Sequence, residues 1–504
     1  YDASQDKKLA VVRERVAYLT SYFEHNVPDQ PLSITTGGGE SVTTTQRSVT
    51  LEGRCSPWRD VYVNGSAIGV TCPSIYDWRY TATGLRPRAN RFCVTDRDWD
   101  GTVMTTRTLT VTFDTFDGGL LGESLTLTAD ASPHIILEDI VVPPSLTLSI
   151  EPGATVALAT GVSLFVEGQF VAEGTATQPI TLTYDRFESP EGHWGALGLY
   201  GSPDSRLAHV LLEYMGQGQY KGRVFEGLSA WDSRLTLRDS HVRDAQHAGL
   251  AFVSATVHLD RNWVHDVSRG LSVAGGVIEA QANLFHDVSG AGPGVFLGAG
   301  STGTFGHNVV YGALGDGLYL EASAVQVTRN EIHHCGAAGV VLSNTSGLTL
   351  VNNLIRHNGV GLVTDQGTRA CVSHNTLAFN NAAGLVLQNP QDRVTVMNSI
   401  IWGNTITVTT GAVLTAAYSV VQGGWAGPSQ GTLRVAPQFR RPAQADFRLL
   451  EASPCIDRGT PTGAPAIDLA GIPRPIGEGY DLGAFEFFEY YTVYLPFSMR
   501  ALFR

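Results

Sequence analysis

The run Asn330-Glu-Ile-His-His-Cys-Gly-Ala-Ala-Gly-Val-Val-Leu342 decides the fold, because the same order of asparagine, apolar residue and glycine restarts at Asn353. The asparagine returns about every twenty-two residues, which is the length of one turn of a solenoid. The intervening stretches lack a helical pattern long enough for a leucine-rich, ankyrin or tetratricopeptide unit. The period therefore predicts a parallel β-helix, with an asparagine ladder at Asn262, Asn283, Asn308, Asn330, Asn353, Asn375 and Asn398.

Each predicted coil holds three short strands. The residue two places after each asparagine is apolar and is expected to point inward, as at Ile332. Another apolar pair follows each glycine, as in Gly339-Val-Val-Leu342, and a third strand precedes each asparagine, as in Leu348-Thr-Leu350. We expect the asparagine at the sharpest corner, because its short amide tolerates left-handed backbone and bonds the coil above. The glycine is expected to meet a similar demand for positive φ.

Composition and charge narrow the class of protein. The 56 glycines among 504 residues, with few Lys or Met, favour an extended all-β chain. The net charge of -13, without a basic run interleaved with aromatics, argues against nucleic acid as a partner. No apolar stretch reaches the roughly eighteen residues of a transmembrane segment. Because the chain begins at Tyr1 with neither Met nor a signal peptide, we expect a processed extracellular or cell-surface product.

The cysteines and sequons are weak signals. One bridge among Cys55, Cys72 and Cys93 would staple a small N-terminal module, with the pairing left open. The sequons at Asn64 and Asn344 are acceptors for glycans on an exported protein. The other cysteines are expected to be buried small hydrophobic residues: Cys335, Cys371 and Cys455.

The N-terminal part is predicted to hold a helix and a sandwich. Residues 1–28 form an amphipathic helical segment in this prediction, because apolar residues from Leu9 to Phe23 share one face. Residues 29–117 alternate as strands and turns, which predicts a β-sandwich. With Val49-Thr-Leu-Glu-Gly53 and Trp78, this stretch resembles bacterial immunoglobulin-like modules. The preceding helix resembles the end of a spore-coat kinase-like domain, whose catalytic region is absent, so the resemblance implies no kinase activity.

The rest of the chain is predicted to be a solenoid with a closing module and a tail. Leu146-Thr-Leu-Ser-Ile-Glu-Pro-Gly153 resembles the opening coils of secreted right-handed parallel β-helix proteins, which implies this fold over residues 118–425. Asp481-Leu-Gly-Ala-Phe-Glu486 resembles the closing module of such proteins, here residues 426–489. Residues 490–504 resemble strand-like tails of exported bacterial surface proteins and favour self-association. Structural roles are expected in the closing module for Asp457, Asp468, Arg474 and Asp481.

Stacked coils place chemistry in columns rather than in linear motifs. Asp244, Asp266 and Asp287 occupy equivalent positions, and His265 and His286 precede two of them. Such stacked carboxylates bind Ca²⁺ or share protons in sugar cleavage, while flanking His or Arg residues neutralise a uronate. The plainer alternative is an outward corner in which Asp and His pair across neighbouring rungs.

A second candidate site has calcium spacing. Asp96-Arg-Asp98-Trp-Asp100-Gly101 matches the start of an EF-hand loop, but the twelfth position is Arg107 instead of Glu. Ca²⁺ is therefore the ion that this spacing suggests, and an ordinary β-turn is the alternative at this position. No organic cofactor is expected.

The favoured functional hypothesis is a noncatalytic extracellular structural protein that assembles end to end into filaments. The chain lacks the glycine-histidine-glycine and arginine-isoleucine-lysine elements of polygalacturonase-like enzymes. One alternative is a polysaccharide lyase or glycoside hydrolase that acts on acidic glycans in a groove along the rod. Another is a passive glycan-binding adhesin, with stacking faces at Tyr311, Phe379 and Trp402.

Overall fold

The computed structural model describes residues 3–187 and 192–488, and the predicted tail at 490–504 lies outside them. The chain divides into two compact units, Tyr1–Asp117 and Gly118–Arg504. Within the described residues, no helix has both the length and the apolar character of a membrane span.

The first unit begins with one long helix, α1, at Ala3–Asn26. It covers the helix predicted from the apolar spacing. Val12, Val16 and Leu19 on the predicted apolar face are about half exposed, at 59%, 50% and 48%. The predicted apolar face is therefore about half exposed at these three residues.

Two four-stranded sheets follow and enclose one core. Leu51, Trp78, Val94 and Val111 are almost fully buried between them. The alternation of buried and exposed residues along each strand matches a sandwich in which each sheet has one solvent-exposed face and one buried face. One sheet holds Ser33–Ile34, Ser48–Arg54, Asp77–Thr83 and Val70–Thr71, and the other holds Val42–Thr44, Val103–Phe113, Arg88–Arg97 and Asp60–Val63, with a 3-10 turn at Thr36–Gly39. All six cysteines of the chain are free thiols, so no bridge forms in this sandwich.

The second unit is a parallel β-solenoid of about fourteen turns, so the all-β solenoid prediction is confirmed. Each turn contributes one strand to each of three parallel sheets, numbered in chain order within a turn. Two long strands, His241–Asp260 and Trp263–Gln281, bend through all three sheets. Sheet 1 holds Gly119–Leu120, Ile140–Val142, Leu164–Val166, Leu197–Tyr200, Leu228–Trp231, Val295–Leu297, Leu318–Glu321, Ala338–Ser343, Val360–Asp365, Ala383–Leu387 and Ile406–Val408.

The other two sheets continue the same pattern. Sheet 2 holds Leu125–Leu127, Thr147–Ile150, Gln169–Glu173, Ser205–Ala208, Arg234–Arg238, Ser301–Gly306, Ala324–Thr328, Ser346–Val351, Arg369–Ser373, Arg393–Met397, Val413–Ala417 and Ser429–Gln430. Sheet 3 holds His134–Ile136, Thr155–Leu158, Ile180–Tyr184, Val210–Glu213, Leu284–Val288, Val309–Tyr311, Glu331–His333, Leu354–Arg356, Thr376–Ala378, Ile400–Trp402 and Val420–Val421. Outside the three sheets, a hairpin is formed by Gln217–Tyr220 and Arg223–Glu226.

The core runs along the axis of the solenoid. The apolar residues two places after the asparagines from Asn262 to Asn375 point inward as predicted, and Phe285, Val310, Ile332, Ile355 and Leu377 have no exposed surface. At the last predicted rung the prediction was wrong, because Ile400 faces the closing module and Ile401 takes the inward position. Burying an aliphatic or aromatic side chain stabilises a fold by ~1.5–3 kcal/mol. Because every turn repeats this burial, the core is continuous along the described solenoid.

The corner between sheets 2 and 3 differs in detail from the prediction. From Asn262 to Asn375 the left-handed residue is not the ladder asparagine but the residue before it, with φ of 54° at Arg261, 55° at Ala282 and 53° at Arg329. Asn398 is itself left-handed, with φ of 48°, because Ser399 takes the ladder position there. Left-handed backbone is costly for most L-residues, so the surrounding hydrogen bonds must hold it. The asparagine is therefore required for its side-chain bonds and not for its own backbone conformation.

The glycines that open sheet 1 also have a different reason. Gly317, Gly339 and Gly384 do not have positive φ, contrary to expectation. A Cβ atom at Gly339 would lie 2.8 Å from the Ile355 side chain, and one at Gly317 would lie 2.8 Å from the Cys335 sulfur. Close approach between neighbouring turns, and not backbone freedom, requires glycine at these positions.

The asparagine ladder joins the coils in register. The side-chain oxygen of Asn353 accepts hydrogen bonds from the backbone and side-chain N–H groups of Asn330, at 2.9 and 3.0 Å. The Asn330 amide also donates to the Phe305 carbonyl at 2.9 Å. The same pattern runs from Asn262 to Asn375. It then continues through Ser399, because the Asn375 N–H donates to that hydroxyl, and Asn398 instead donates to the Thr460 carbonyl.

A second ladder lies at the corner between sheets 3 and 1. Asn358 donates from both its backbone and side-chain N–H groups to the side-chain oxygen of Asn380, which bonds Asn404 in turn. This ladder was not predicted. Its sequence signal is a second asparagine five residues after Asn353 and again five after Asn375.

The closing module packs along the side of the last coils. Phe439, Phe447 and Leu482 pack against outward residues of sheet 3 such as Leu354 and Ile400. Arg474 and Glu486 form a fully buried ion pair at 2.6 Å, and Asp468, Asp481 and Asp457 accept backbone N–H bonds within the module. A short hairpin of Phe439–Arg441 and Asp446–Leu449, with a 3-10 turn at Pro442–Gln444, belongs to it.

Replacing Asn330 with alanine tests the ladder. The substitution leaves N–H groups of Asn308 without an acceptor inside the fold, so we expect a loss of ~2–3 kcal/mol in the free energy of unfolding. Chemical denaturation measures it. The exposed Asn381→Ala is the matched control and should change the free energy by less than about 0.5 kcal/mol. Equal effects of the two substitutions would contradict the role of the ladder.

Candidate active site

A column of left-handed residues marks the corner at the end of sheet 3. Their φ values are all positive, and one closes each sheet-3 segment from Val210–Glu213 to Thr376–Ala378. Asp, Asn, His and Gly tolerate this backbone better than other residues, which explains the stacked Asp residues of the sequence. We call this set the corner column: Tyr214, Asp244, Asp266, Asp287, Gly312, His334, His357 and Phe379.

A row of rings lies beside the corner column, on the outer face of sheet 3. The rings of His265, His286, Tyr311 and His333 follow one another with centroids 4.8–5.0 Å apart and planes within 5° of parallel. The spacing equals the distance between neighbouring strands, so the register of the solenoid sets this row. The rings form a flat wall beside the carboxylates.

The carboxylates of the corner column pair within their own rung. Asp266 lies 2.7 Å from Nδ1 of His265, and Asp287 lies 2.7 Å from Nδ1 of His286. The alternative predicted from the sequence placed Asp–His pairs between neighbouring rungs. This prediction was wrong, because each pair lies within one rung. Because each partner precedes its Asp in the chain, the arrangement relieves the repulsion between stacked carboxylates without linking the coils.

The two His–Asp pairs differ at the second ring nitrogen. Nε2 of His286 accepts a hydrogen bond from the Trp263 indole N–H. Within the described part of the chain, Nε2 of His265 has no hydrogen-bond partner. His265 therefore keeps a free lone pair, whereas both nitrogens of His286 are occupied.

A cavity of about 520 Å³ opens at the N-terminal end of the corner column. Its lining combines carboxylates with a cation and aromatic rings, which suits a polar ligand with several hydroxyl groups. The Arg186 guanidinium lies over the Tyr214 ring at 4.8 Å. The lining residues are Tyr184, Arg186, Gly192, His193, Tyr214, Asp244, Ala245 and Asp266.

An ion-pair network supports the wall of this cavity. Arg243, which precedes Asp244, forms a 2.6 Å ion pair with Glu213 of the previous rung. Glu213 also accepts a hydrogen bond from Thr183 at 2.8 Å. Burial is the largest single influence on the pKa of Arg243 and lowers it, but the hydrogen bond to Glu213 and the charges of Glu213 and Asp244 together raise the pKa above its ordinary value. Arg243 therefore stays charged, and it also forms a longer ion pair with Asp244 at 3.6 Å.

Histidines at the far end of the row are held neutral. Burial, followed by the charges of Arg356, His334 and His357, lowers the pKa of His333 to about 3. Burial and Arg356 also lower the pKa of His357. These two rings therefore do not provide a positive charge for a uronate. Arg186 lines the cavity where such a charge is needed.

The candidate calcium residues are spread over two environments. Asp96 is buried and pairs with Arg59 at 3.0 Å, whereas Asp98 and Asp100 lie in the following turn and accept backbone N–H bonds there. Across residues 3–187 and 192–488, no group of three His, Cys, Asp or Glu residues has a metal-binding arrangement. Calcium binding stays a prediction.

Sequence reasoning missed several residues of the cavity. Arg186 and His193 lie in an irregular segment before sheet 1 and have no counterpart in the repeat. Tyr214 belongs to the corner column, one coil before Asp244, and the column rule identifies it. Phe379 and Trp402, predicted as exposed stacking faces, pack against the closing module instead.

The comparisons support the fold. Residues 274–421 match the family model described as right handed beta helix region, so with the parallel sheets the solenoid is a right-handed parallel β-helix. No curated protein sequence matches the chain.

Three solved structures are similar to the chain. A periplasmic alginate epimerase, AlgG, is 13% identical over 57% of this chain and 84% of its own, with a TM-score of 0.40. The A-module of a mannuronan C-5 epimerase from Azotobacter vinelandii is 14% identical over 62% and 90%, with a TM-score of 0.31. The catalytic unit of an alpha-1,3-glucanase from Streptomyces thermodiastaticus is 14% identical over 76% and 87%, with a TM-score of 0.34. At this identity the likeness is one of fold.

The favoured functional hypothesis needs correction. The similar solved structures are of enzymes that act on glycans by their names, and this overturns the prediction of a noncatalytic structural protein that assembles into filaments. The alternative of a glycan-acting β-helix agrees better with these names and is kept as a proposal. Because the likeness extends only to the fold, the residues of this chain must supply the functional argument.

The neutral state of His333 predicts a pH dependence of stability. Its pKa is about 3 in the fold against an ordinary value of 6.5, so the unfolded chain binds a proton first as the pH falls. Stability from this ring is full above pH 6.5 and declines towards pH 3, at up to ~1.4 kcal/mol per pH unit. Denaturation curves at several pH values should show a shallower decline in His333→Phe, which keeps the ring stack. Parallel declines would contradict the assignment.

Proposed function

We propose that the protein is a carbohydrate-active enzyme that cleaves an acidic polysaccharide bound along the corner column. The observation that carries this proposal is the cavity, where carboxylates from adjacent rungs, Asp244 and Asp266, meet Arg186 and two tyrosines. Lone carboxylates at a corner are ordinary surface features. Their combination with a cation and aromatic rings in one concave site favours a ligand.

The substrate class follows from the charges and the repeat. A guanidinium recognises carboxylates through paired N–H donors, so Arg186 is suited to a uronate group. Tyr214 is proposed to offer its ring to the apolar side of a sugar, whereas Tyr184 is only 3% exposed and adds little contact surface. The corner column continues from the cavity at one side chain per rung of about 4.8 Å, a spacing comparable to one sugar residue in an extended chain.

His265 is the proposed base. Asp266 accepts its Nδ1–H and fixes the tautomer in which Nε2 carries the lone pair. After proton transfer the same carboxylate stabilises the imidazolium. His286 has an identical carboxylate partner, but Trp263 occupies its Nε2, so it does not serve as the base.

Asp266, the partner of His265, lines the same cavity as Arg186. A histidine base combined with a uronate-binding arginine favours elimination over hydrolysis. In this step Nε2 of His265 takes the proton from the carbon next to the carboxylate. The C–H electron pair forms the new double bond, and the glycosidic oxygen leaves with its bonding pair and takes a proton from water. Hydrolysis remains the second candidate, because stacked Asp residues suit the paired carboxylates of glycosidases.

The remaining parts of the chain receive proposals of the same kind. A polysaccharide substrate implies an extracellular or periplasmic site of action. The sandwich at residues 29–117 is proposed to be an immunoglobulin-like accessory module, supported by its two-sheet core around Trp78. A high-resolution experimental structure of this sandwich would test its topology.

A screen on acidic polysaccharides tests the activity. We expect the wild-type protein to release unsaturated uronates, detected by ultraviolet absorbance, and Asp266→Asn to lower kcat by about 100-fold or more. Asp260→Asn removes a carboxylate on sheet 2 and is the matched control, with activity unchanged. Failure of the wild type on uronate-containing polymers, or full activity of Asp266→Asn, would exclude the proposal. Reducing ends without unsaturated products would instead establish hydrolysis.

A matched pair of substitutions tests the choice of base. His265→Gln should lower kcat by about 100-fold or more, because the proton acceptor is lost, whereas His286→Gln should lower it by less than about 10-fold. The pH profile of kcat in the second variant should keep the wild-type shape. Equal losses in the two variants would refute a special role of His265.

A further inference from the structure

A second concave surface lies on the outer face of sheet 1, away from the corner column. We call it the sheet-1 groove, defined by Asp316, Tyr319, Val341, Val363 and Asp365, with a volume of about 640 Å³. It lies in later coils than the cavity and shares no lining residue with it. The proposed cleavage reaction does not use it.

The floor of the groove is apolar and flat. Tyr319, Val341, Val363 and Val386 are paired in direct register on four consecutive strands, so their side chains leave the same face of the sheet. Val341 and Val363 are 8% exposed and pack together with Ala338. Outward positions of a solenoid strand are usually polar, so this strip of apolar side chains calls for an explanation.

Small residues form one wall of the groove. Gly336, Ala337, Gly359 and Ala382 come from stacked turns before the sheet-1 strands. A Cβ atom at Gly359 would lie 2.5 Å from the Ala337 carbonyl oxygen, so the turns are stacked as closely as their backbones allow. The absence of larger side chains along this described wall keeps the groove open.

The charges of the groove have one sign. Asp316 and Asp365 lie on its two sides, and no cationic side chain is among the described lining residues. Asp316 accepts the Ala338 N–H at 2.8 Å, and burial raises its pKa. Within the described chain neither carboxylate has an ion-pair partner, and Asn381 and Gln388 add amide groups at the rim. A ligand rich in hydroxyl donors satisfies these acceptors, whereas an acidic ligand is repelled.

We propose that the sheet-1 groove binds an uncharged glycan chain that runs along the solenoid axis. The apolar faces of its sugar rings rest on Tyr319 and the valines, and its hydroxyl groups donate to Asp316 and Asp365. This site goes beyond the proposed cleavage of an acidic polysaccharide, because it selects an uncharged glycan on another face. It anchors the protein to a neutral polymer while the cavity acts on an acidic one.

Isothermal titration with neutral hexasaccharides of glucose, mannose, xylose and galactose tests the proposal. The host is the full chain carrying Asp266→Asn, so binding is measured without cleavage. We expect binding of at least one neutral series. Tyr319→Ala should weaken it about 10-fold or more, and Asp365→Asn should weaken it severalfold. Ala337→Trp fills the groove from an exposed wall position and should abolish binding, whereas Ala324→Trp, on sheet 2, should leave it unchanged.

The outcomes separate this proposal from the proposed function. Neutral binding that is lost in Ala337→Trp supports the groove, whether or not the wild type cleaves acidic polymers. The groove proposal is overturned if no neutral series binds, or if Ala337→Trp and Ala324→Trp have the same effect on binding. It is also overturned if the oligosaccharides whose binding is lost in Ala337→Trp are the acidic oligogalacturonates or the basic glucosamine oligomers. A Tm of each variant within about 2 °C of the Tm of the host shows that the variant is folded and that only binding is lost.

Discussion

Hydrogen bonding between equivalent asparagines of successive coils is the constraint on which the rest of the solenoid depends. One side-chain oxygen of Asn353 accepts from two N–H groups of Asn330, and both residues are buried. Unpaired, such groups would cost ~1–3 kcal/mol each. A slip by one residue would lose these bonds and would turn Ile332 outward and His333 inward. The ladder therefore fixes which side chains the outer faces present.

Register in turn explains the composition of the candidate active site. From Tyr214 to Phe379 each turn has a left-handed residue after its sheet-3 segment, and Asp244, Asp266 and Asp287 adopt this conformation with side chains that also carry charge. Part of the chemistry is thus a by-product of a backbone requirement. The other part comes from the irregular segment that supplies Arg186 and His193, where the repeat is interrupted. The repeat alone produces the corner column, and the irregular segment that interrupts the repeat adds the residues that form a cavity at one end of it.

The period of the sequence predicts the coil, its three strands and its inward residues, because burial repeats with the backbone. It does not predict which residue is left-handed at a corner, since Arg261 and Ala282 have no preference for that conformation. The pairing of His265 with Asp266 inside one rung, and the capture of His286 by Trp263, depend on side-chain rotamers that spacing does not specify. Contacts of Arg186 are non-local and carry no periodic signal at all.

The cavity and the sheet-1 groove lie at different positions along the solenoid, because different elements cover the outer faces of sheets 1 and 3. On sheet 1, the hairpin that includes Phe225 packs over Phe165, and Arg223 lies over Trp231 at 4.5 Å, so the early coils of this face are closed. On sheet 3, Phe447 of the closing module packs beside His357 and Phe379, so the late coils of that face are closed. The open part of sheet 3 therefore precedes the open part of sheet 1. A glycan in the cavity and another in the sheet-1 groove meet different coils and different faces, and binding at one site does not exclude the other.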